Sequence, residues 1–279
     1  MLNYHGVDSH HMKDRTRDPM LKTTARSLAL VDQIRKCGGA KLPQLADDLS
    51  LAKSTVYKHA MTLYEHGYLV KEDDYYYIGP KFLSLGEHAR SRKPGYQIAD
   101  KAVRELTDAT DEEVDFVIED HGRIITISES YHKWVKYPGE GESNRYRARM
   151  GTYYPMHATA TGKAILAALP RARVEAILDR WGLPAKTDNT ITARRDFFEE
   201  LDRITERGYA VDDEEFADGL RSVGMAVTRP DGTIIGAMSV SGPSYRVTGE
   251  VLEQGIIPEL ERTVESFERR LAKNRPDES

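Results

Sequence analysis

Residues 50–69 read SLAKSTVYKHAMTLYEHGYL and predict an amphipathic helix that decides the fold of the N-terminal part of the chain. Val56, Ala60 and Leu63 recur at the spacing that turns one side of a helix towards a core. The other side carries hydroxyl and basic side chains, which suit the base edges and phosphates of a DNA major groove. The candidate DNA-binding residues are Lys53, Ser54, Thr55, Tyr57, Lys58 and His59. Taken alone, such a helix is more often a solvated surface helix, so its neighbours decide between the two interpretations.

The neighbouring segments complete a winged helix-turn-helix. Residues 23–37 have a helical apolar pattern that stops at Gly38-Gly39, and residues 42–49 predict a short second helix. After the quoted helix, residues 68–70 and 75–78 predict a β-hairpin with an acidic turn. In a winged helix-turn-helix the third helix enters the major groove and the hairpin lies against the DNA backbone.

The distribution of charge agrees with this assignment. The formal net charge of the chain is -5, but residues 20–92 carry 11 Lys or Arg against 8 Asp or Glu. The positive excess therefore lies on the segment that contains the candidate recognition helix, as a phosphate-facing module requires.

Composition excludes several other classes of protein. No apolar run reaches the length of a membrane span and the first residues show no signal-peptide pattern, which predicts a cytoplasmic protein without a membrane partner. The single cysteine, Cys37, excludes an internal disulfide and is predicted to be buried. The nine histidines are too scattered to have the spacing of metal ligands, so we predict neither a metal site nor a cofactor.

The rest of the chain predicts an α+β domain. Residues 114–127 and 222–241 each read as a β-hairpin, and helical patterns precede, separate and follow them. Hairpins flanked by helices indicate an antiparallel sheet covered by helices. The predicted segments are a flexible leader at 1–19, the winged helix-turn-helix domain at 20–79, a linker helix at 80–92, and a second domain at 93–279 that begins at Lys93-Pro94-Gly95.

Two C-terminal segments carry a family likeness. Residues 151–167, GTYYPMHATATGKAILA, and residues 208–243, GYAVDDEEFADGLRSVGMAVTRPDGTIIGAMSVSGP, resemble the signature regions of the IclR family of transcriptional regulators. LAKSTVYKHAMTLYEHGYL is similar to the recognition helix of that family, so the resemblance extends from about residue 21 to residue 272. It implies a GAF-like effector-binding domain behind the winged helix, a homodimer or a dimer of dimers (a homotetramer), and control of transcription by a small metabolite.

Two positions depart from the family pattern. Lys58 stands where the family often has arginine, and lysine lacks the bidentate fork that reads guanine, so Lys58 is expected to contact a phosphate. Ser222 stands where the family often has cysteine, which changes the wall of the pocket and puts the usual effectors of the family in doubt.

The resemblance also implies an effector site at the start of the helix that follows His157. The backbone at Ala160 and Thr161 then offers the N–H groups of a helix N-terminus to a carboxylate. Ser239 and Ser241 lie two apart on a strand and point to the same face. The predicted effector-binding residues are Ala160, Thr161, Asp212, Ser222, Ser239 and Ser241.

An aspartate in such a pocket accepts a hydroxyl, so the expected effector is a small hydroxy- or oxo-acid. His157 is predicted to be structural, and Arg147 and Arg149 are candidates for a further anion contact, although exposure at the surface is more typical of them.

The predicted function is a ligand-responsive regulator that binds a pseudo-palindromic operator in double-stranded DNA as a symmetric oligomer. One alternative is a DNA-binding protein whose second domain only oligomerises. Another is a hydrolase that uses Ser239 or Ser241 with His157 and Asp212, but no G-x-S-x-G pattern surrounds either serine, and no catalytic residue is predicted. A phosphate loop at Gly162-Lys163 is excluded because residues 157 and 164 lack the required glycine and hydroxyl, so the stem of Lys163 is expected to cover apolar surface.

Overall fold

The chain forms two compact units in the computed structural model, which describes residues 21–92, 94–131 and 150–273. The division falls after Ala89. The predicted leader, residues 1–19, lies outside the described residues, and so do the candidate anion contacts Arg147 and Arg149. The predicted architecture is confirmed: an N-terminal helix-turn-helix with a hairpin precedes an α+β unit built on an antiparallel sheet.

From residue 21 onward, where the structure describes it, the N-terminal unit contains three helices, a small sheet and the start of a fourth helix. Its elements are α1 (Lys22–Cys37), β1 (Ala40–Lys41), α2 (Leu42–Asp48), α3 (Lys53–Glu65), β2 (Leu69–Glu72), β3 (Tyr75–Ile78) and α4 (Lys81–Ser91). The strands form a sheet in the order β1-β3-β2. Sequence analysis did not identify β1, because a pair of residues has no periodicity; its place follows from its pairing with β3.

The predicted apolar stripe of α3 packs into the core of this unit. Val56 and Ala60 are fully buried and Leu63 is half-buried, and they pack with Leu30 and Ile34 of α1. Burial of a Val, Leu or Ile side chain stabilises a fold by roughly 1.5–3 kcal/mol, so this stripe fixes which side of α3 faces solvent.

The end of α1 corrects one prediction. Gly38 adopts a left-handed conformation with φ 66°, and the N–H groups of Gly38 and Gly39 donate to carbonyls in the last turn of α1. Cys37, immediately before this cap, is exposed rather than buried. The helical spacing that placed it in the core fails there, because the helix ends and no further turn covers its side chain.

The second unit is larger and begins with the last two residues of α4. Its elements are α5 (Pro94–Thr110), β4 (Glu113–Asp120), β5 (Arg123–Ser130), β6 (Tyr153–Tyr154), α6 (Ala160–Ala168), α7 (Arg171–Trp181), α8 (Arg194–Arg207), β7 (Ala210–Asp213), β8 (Leu220–Thr228), β9 (Ile234–Pro243) and α9 (Ile257–Lys273), the last preceded by a π-helical segment, Val251–Ile256. The apolar pattern of the sequence predicts a helix only from Ala99 to Thr107, and α5 is longer at both ends. Strands β6 and β7 were not predicted.

The six strands of this unit form one sheet in the order β6-β5-β4-β9-β8-β7, and every pairing in it is antiparallel. Helices α5 and α9 pack on one face, around Phe116 and Phe267. Helices α6, α7 and α8 pack with the other face, around Ile165 and Phe197. Because side chains alternate along a strand, each strand contributes to both cores, and polar residues on the α6 face lie between the sheet and α6.

The order β4-β9-β8 brings the two ends of the unit together. The β4–β5 hairpin and the β8–β9 hairpin are far apart in sequence, and the pairing of β4 with β9 joins them, with Asp115 opposite Ser239. Within the described residues, no helix has both the length and the apolar composition that a membrane span requires.

Candidate functional site

The solvent-facing side of α3 carries the candidate DNA-binding residues of the N-terminal unit. Lys53, Ser54, Tyr57 and Lys58 are exposed, and Tyr57 retains 53% of its accessible surface. The helix begins after Ala52, which has no side-chain hydrogen bond to the first turn. The first-turn N–H groups of such a helix end favour an anion such as a phosphate.

The remaining two candidates, Thr55 and His59, are half-buried. The His59 Nδ1 lies 2.7 Å from the hydroxyl of Ser27 on α1, so one edge of the imidazole packs inside the domain. Sequence analysis did not reveal this contact, because Ser27 lies 32 residues away. His59 therefore sets the position of α3 on α1 in addition to any role at its surface.

The hairpin β2–β3 has an acidic tip. Its turn places Asp73 at φ 50°, and the Lys41 Nζ lies 3.5 Å from the carboxylate of Asp74 and 5.0 Å from the centroid of the Tyr75 ring. Glu72, Asp73 and Asp74 repel phosphates, so the charge at the tip opposes close contact of the turn with a DNA backbone.

In the second unit, four predicted effector-binding residues, Asp212, Ser222, Ser239 and Ser241, lie on the face of the sheet that packs against α6. Two rows of paired residues cross the strands there. The first row runs from β5 to β8 through Glu129, Asp115, Ser239 and Gly224. The second row runs from β4 to β7 through Glu113, Ser241, Ser222 and Asp212. Each row aligns side chains on one face, because paired residues of antiparallel strands point the same way.

The two serines of β9 have different partners. The Ser241 hydroxyl donates to the hydroxyl of Ser222 on β8 over 2.9 Å, which joins two predicted residues directly. The Ser239 hydroxyl donates to a carboxylate oxygen of Asp115 on β4. Sequence analysis missed Asp115, whose partner lies 124 residues away. The only local signal is its position between the apolar residues Val114 and Phe116, which puts it on the opposite face of β4.

Burial raises the pKa of Asp115 to about 7. The hydrogen bond from Ser239 opposes this rise, and the negative charge of Glu129 adds to it. Burial likewise raises the pKa of Asp212 to about 7, against hydrogen bonds to its carboxylate. The sheet therefore presents two carboxyl groups whose protonation changes near neutral pH.

Asp212 also organises the segment that follows β7. One of its carboxylate oxygens accepts hydrogen bonds from the N–H groups of Glu215, over 2.8 Å, and Phe216, over 3.1 Å. Asp212 is thus a buried cap of this segment, in addition to being a predicted effector contact.

The start of α6 lies directly over the sheet. Ala160 and Thr161 are buried in its first turn, and the Thr159 hydroxyl accepts a hydrogen bond from the N–H of Gly162 over 3.3 Å. A Cβ atom on Gly224 of β8 would lie 2.9 Å from the Thr161 N and from the Ala160 carbonyl carbon. Glycine at position 224 therefore lets the backbone of the helix N-terminus approach the strand, beside Ser239.

Lys163 corrects a second prediction, because its charged end is buried as well as its stem. The side chain is 1% exposed; the Lys163 Nζ forms an ion pair with Glu215 and donates to the carbonyl of Val211 over 2.6 Å. Burial raises the pKa of Glu215, and the charge of Lys163 opposes that rise. This pair joins α6 to the segment that Asp212 caps.

His157 is buried and its Nε2 lies 2.9 Å from the carbonyl oxygen of Pro184. Burial lowers its pKa, which favours the neutral ring. Since the hydroxyls of Ser239 and Ser241 donate to Asp115 and Ser222, the contacts of these side chains do not form the serine–histidine arrangement of a hydrolase. In the described part of the chain, no His, Cys, Asp and Glu side chains group in a way that could hold a metal ion.

Comparison with known proteins matches both units. Residues 23–73 match the family model described as IclR helix-turn-helix domain, and residues 89–269 match the model described as Bacterial transcriptional regulator IclR C-terminal. The probable HTH-type transcriptional regulator ArcR of Halobacterium salinarum is 28% identical over 229 residues, which cover 81% of this chain and 85% of that protein.

Two solved structures are also similar. The crystal structure of the Thermotoga maritima IclR protein covers 89% of this chain and 98% of its own, with 28% identity and a TM-score of 0.73. The inducer-binding domain of the PobR transcription factor from Acinetobacter, a double mutant solved in complex with 3-hydroxybenzoic acid, covers 62% of this chain and 96% of its own, with 25% identity and a TM-score of 0.56.

The close approach at Gly224 predicts a cost for any side chain there. We expect Gly224→Ala to lower the free energy of unfolding by about 1–3 kcal/mol, because the methyl group would displace the backbone of α6 from β8. Gly255→Ala is the matched control, since a Cβ there meets nothing within 4 Å. Denaturant unfolding of the two variants checks this, and equal stabilities would contradict it.

The raised pKa of Asp115 predicts a dependence of stability on pH. An unfolded aspartate titrates near about 3.9, whereas Asp115 in the fold titrates at about 7. Between these two pH values the folded protein binds the proton of Asp115 more tightly than the unfolded chain does. This proton therefore stabilises the fold at low pH, and the stabilisation is lost as pH rises through about 7. We expect Asp115→Asn to flatten this decline in thermal unfolding profiles, and Asp108→Asn, at an exposed position of α5, to leave it unchanged. A decline of equal slope in all three proteins would argue against a raised pKa.

Proposed function

The chain belongs to the IclR family of transcriptional regulators, and we propose that it binds an operator through α3 and releases or retains it according to a small organic acid bound in the second unit. The observation that carries the proposal is the convergence of the α6 N-terminus, the hydroxyls of Ser222, Ser239 and Ser241, and the buried carboxyl groups of Asp115 and Asp212 on one face of the sheet. This convergence provides donors for an anion and polar partners for further oxygen atoms.

The carboxylate of the effector would bind at the start of α6. The Thr161 N lies above Gly224, where a side chain would otherwise separate the helix backbone from the sheet. The positive end of the helix dipole favours an anion at this point. The hydroxyls of Ser222, Ser239 and Ser241 lie on the same face. Ser241 donates to Ser222 and Ser239 donates to Asp115, and rotation of these hydroxyls would let them bond to a ligand instead. The complex of the similar PobR domain with 3-hydroxybenzoic acid supports a hydroxylated carboxylic acid.

The DNA-binding surface would consist of the six predicted residues of α3, of which Lys53, Ser54, Tyr57 and Lys58 are exposed. We assign Ser54 and Thr55 to base edges or phosphates near the start of the helix, and Lys53 and Lys58 to phosphates. His59, bonded to Ser27, would act mainly by positioning α3. The acidic turn of the hairpin limits its contact with DNA to the strands.

We propose a homodimer, which can pair into a homotetramer. Helix α4 has no buried residue, although it carries Leu83, 76% exposed, and Leu85, 47% exposed. Leu21, just before α1, and Leu28 on α1 are also largely exposed. Large apolar side chains left exposed on α1 and α4 support an interface, and a symmetric dimer requires a pseudo-palindromic operator.

The mechanism would be a population shift. An effector changes operator affinity only by the difference in its own affinity for the two arrangements of the dimer. Neither serine of β9 is assigned a catalytic role, because their hydroxyls donate to Asp115 and Ser222 and His157 contacts Pro184.

The proposal is tested by selecting DNA from a random-sequence pool with the full-length protein. We expect enrichment of a pseudo-palindrome. Binding to the selected DNA is then measured with and without short hydroxy- and oxo-carboxylic acids, and an effector is expected to change the Kd by roughly 5–150-fold. The same acid should raise the Tm of the free protein. If the DNA is enriched but no acid changes Kd or Tm, the second unit only oligomerises and the sensing function is rejected.

The lysines of α3 predict a specific dependence on salt. We expect Lys58→Ala and Lys53→Ala each to reduce the slope of log K against log salt by about 0.9, the value for one lost phosphate contact. Lys273→Ala, at the exposed end of α9, is the matched control and should keep the wild-type slope. Filter-binding or anisotropy measurements over a salt series check this, and unchanged slopes in both α3 variants would exclude these lysines as phosphate contacts.

A further inference from the structure

We infer that Asp115, Glu129, Thr126 and Ser239 form a second subsite that binds a hydroxyl group of the effector at the end of the molecule opposite its carboxylate. This inference rests on the proposed function, which places the carboxylate at α6. It narrows the effector class to carboxylic acids that carry a hydroxyl several atoms away from the carboxyl group.

The first argument is the shared face of these residues. Asp115 pairs with Ser239 on one side and with Glu129 on the other, so the three lie in one row. Thr126 pairs with Val117, which belongs to the core around α6. The register of β4 and β5 shifts between Phe116 and Val117, and this irregularity keeps both Thr126 and Glu129 on the α6 face.

The same irregularity turns Ser128 to the other face of the sheet. The Ser128 hydroxyl donates to the carboxylate of Asp100 on α5 over 2.5 Å. The hydroxyls of Thr126 and Ser128, two residues apart, therefore face opposite sides of β5. Ser128 has an acceptor on α5, whereas Thr126 has none among the described residues.

The second argument is that the buried hydroxyl of Thr126 lacks a hydrogen-bond partner within the described ranges. Thr126 is 1% exposed, and its Oγ1 has no hydrogen-bond partner in the part of the chain that the structure describes. A buried hydroxyl without a partner destabilises a fold, and such groups are rare in native proteins. Thr126 is paired with Val117, two residues from Asp115 and on the same face, so a ligand hydroxyl lying between the two side chains would complete the hydrogen bonding of Thr126.

The third argument is the distribution of charge along the first row. Gly224, under the N-terminus of α6, lies at the positive end, and the carboxyl groups of Asp115 and Glu129 lie at the other. The helix N-terminus favours an anion at the first end, and the carboxyl group of Asp115 favours a hydrogen-bond donor at the second. The raised pKa of Asp115 fits this arrangement, because its carboxyl group can then bond a hydroxyl as acceptor or as donor.

The spacing of the strands sets the length of the effector. Asp115 and Gly224 are separated by two strand spacings, or about 10 Å between backbones. After a hydrogen-bond length of about 3 Å at each end, roughly 4 Å remains for the molecule between its carboxylate and its hydroxyl. A chain of three or four bonds has about this length, and a benzene ring substituted across is somewhat longer, so the two skeletons cover the range.

The test uses matched pairs of acids that differ only in the distal hydroxyl. Calorimetry with the full-length protein compares 4-hydroxybutanoate with butanoate and 4-hydroxybenzoate with benzoate. We expect the hydroxylated acid of at least one pair to bind at least about tenfold more tightly, because a site built around polar groups rejects an analogue that leaves them unbonded.

The decisive variant is Thr126→Val, which removes only the hydroxyl. We expect the ratio of the two dissociation constants to fall towards one. The control Thr107→Val removes a buried hydroxyl that donates to the Val103 carbonyl over 2.9 Å on α5; it should lower the Tm and keep the wild-type ratio. A purely structural Thr126 would instead leave the ratio unchanged and the Tm equal or higher.

The outcomes separate this inference from the proposed function. If both members of each pair bind equally, or if Thr126→Val keeps the preference, the second subsite is rejected and the carboxylate site at α6 stands. If 4-aminobutanoate binds more tightly than 4-hydroxybutanoate, the acidic end binds an ammonium group and the hydroxyl assignment is rejected. If none of these acids binds, both the subsite and the proposed acid sensing are rejected.

Discussion

The second unit depends on one buried ion pair, between Lys163 of α6 and Glu215 in the segment after β7. Removing two charges from water is costly, and the loss of either partner would leave the other uncompensated. The pair fixes the helix to the same segment in which the N–H of Glu215 donates to Asp212. Lys163 also donates to the carbonyl of Val211 on β7, so these contacts hold α6 against the polar face of the sheet.

The proposed effector site is unusual for an anion, because several carboxyl groups lie on the same face of the sheet. Asp115 and Asp212, both buried, have pKa values raised to about 7, and the negative charge of Glu129 acts on the first of them. Under the proposed function, the first turn of α6 would hold the carboxylate and these carboxyl groups would face the rest of the ligand. Selectivity would then come from orientation, because a hydroxy acid placed the other way round would bring its carboxylate to Asp115.

Local patterns predicted much of the fold, and long-range contacts explain most of what they missed. The stripe of Val56 and Ala60 predicted α3 because helix burial repeats within a few residues. The pairing of Asp115 with Ser239 joins residues 124 positions apart, so nothing local indicated it. Lys163 was predicted to bury its stem alone, since its partner Glu215 is remote in sequence, and Cys37 was misplaced because a periodic pattern does not show where its helix stops. The family resemblance, rather than periodicity, supplied the proposed roles of Ala160, Thr161, Asp212 and Ser222, which remain predictions.

The irregular pairing in β5 has a mechanical consequence. Ser128 and Glu129 are neighbours along the chain and face opposite sides of the sheet. The Ser128 hydroxyl donates to Asp100, whose carboxylate also binds Arg90 at the end of α4. One peptide bond thus separates the strand position that faces α6 from a pair of contacts that reaches the end of α4. A ligand or substitution that shifted the backbone at Glu129 would also shift the Ser128 hydroxyl and its bond to Asp100, because the peptide unit between the two residues is rigid.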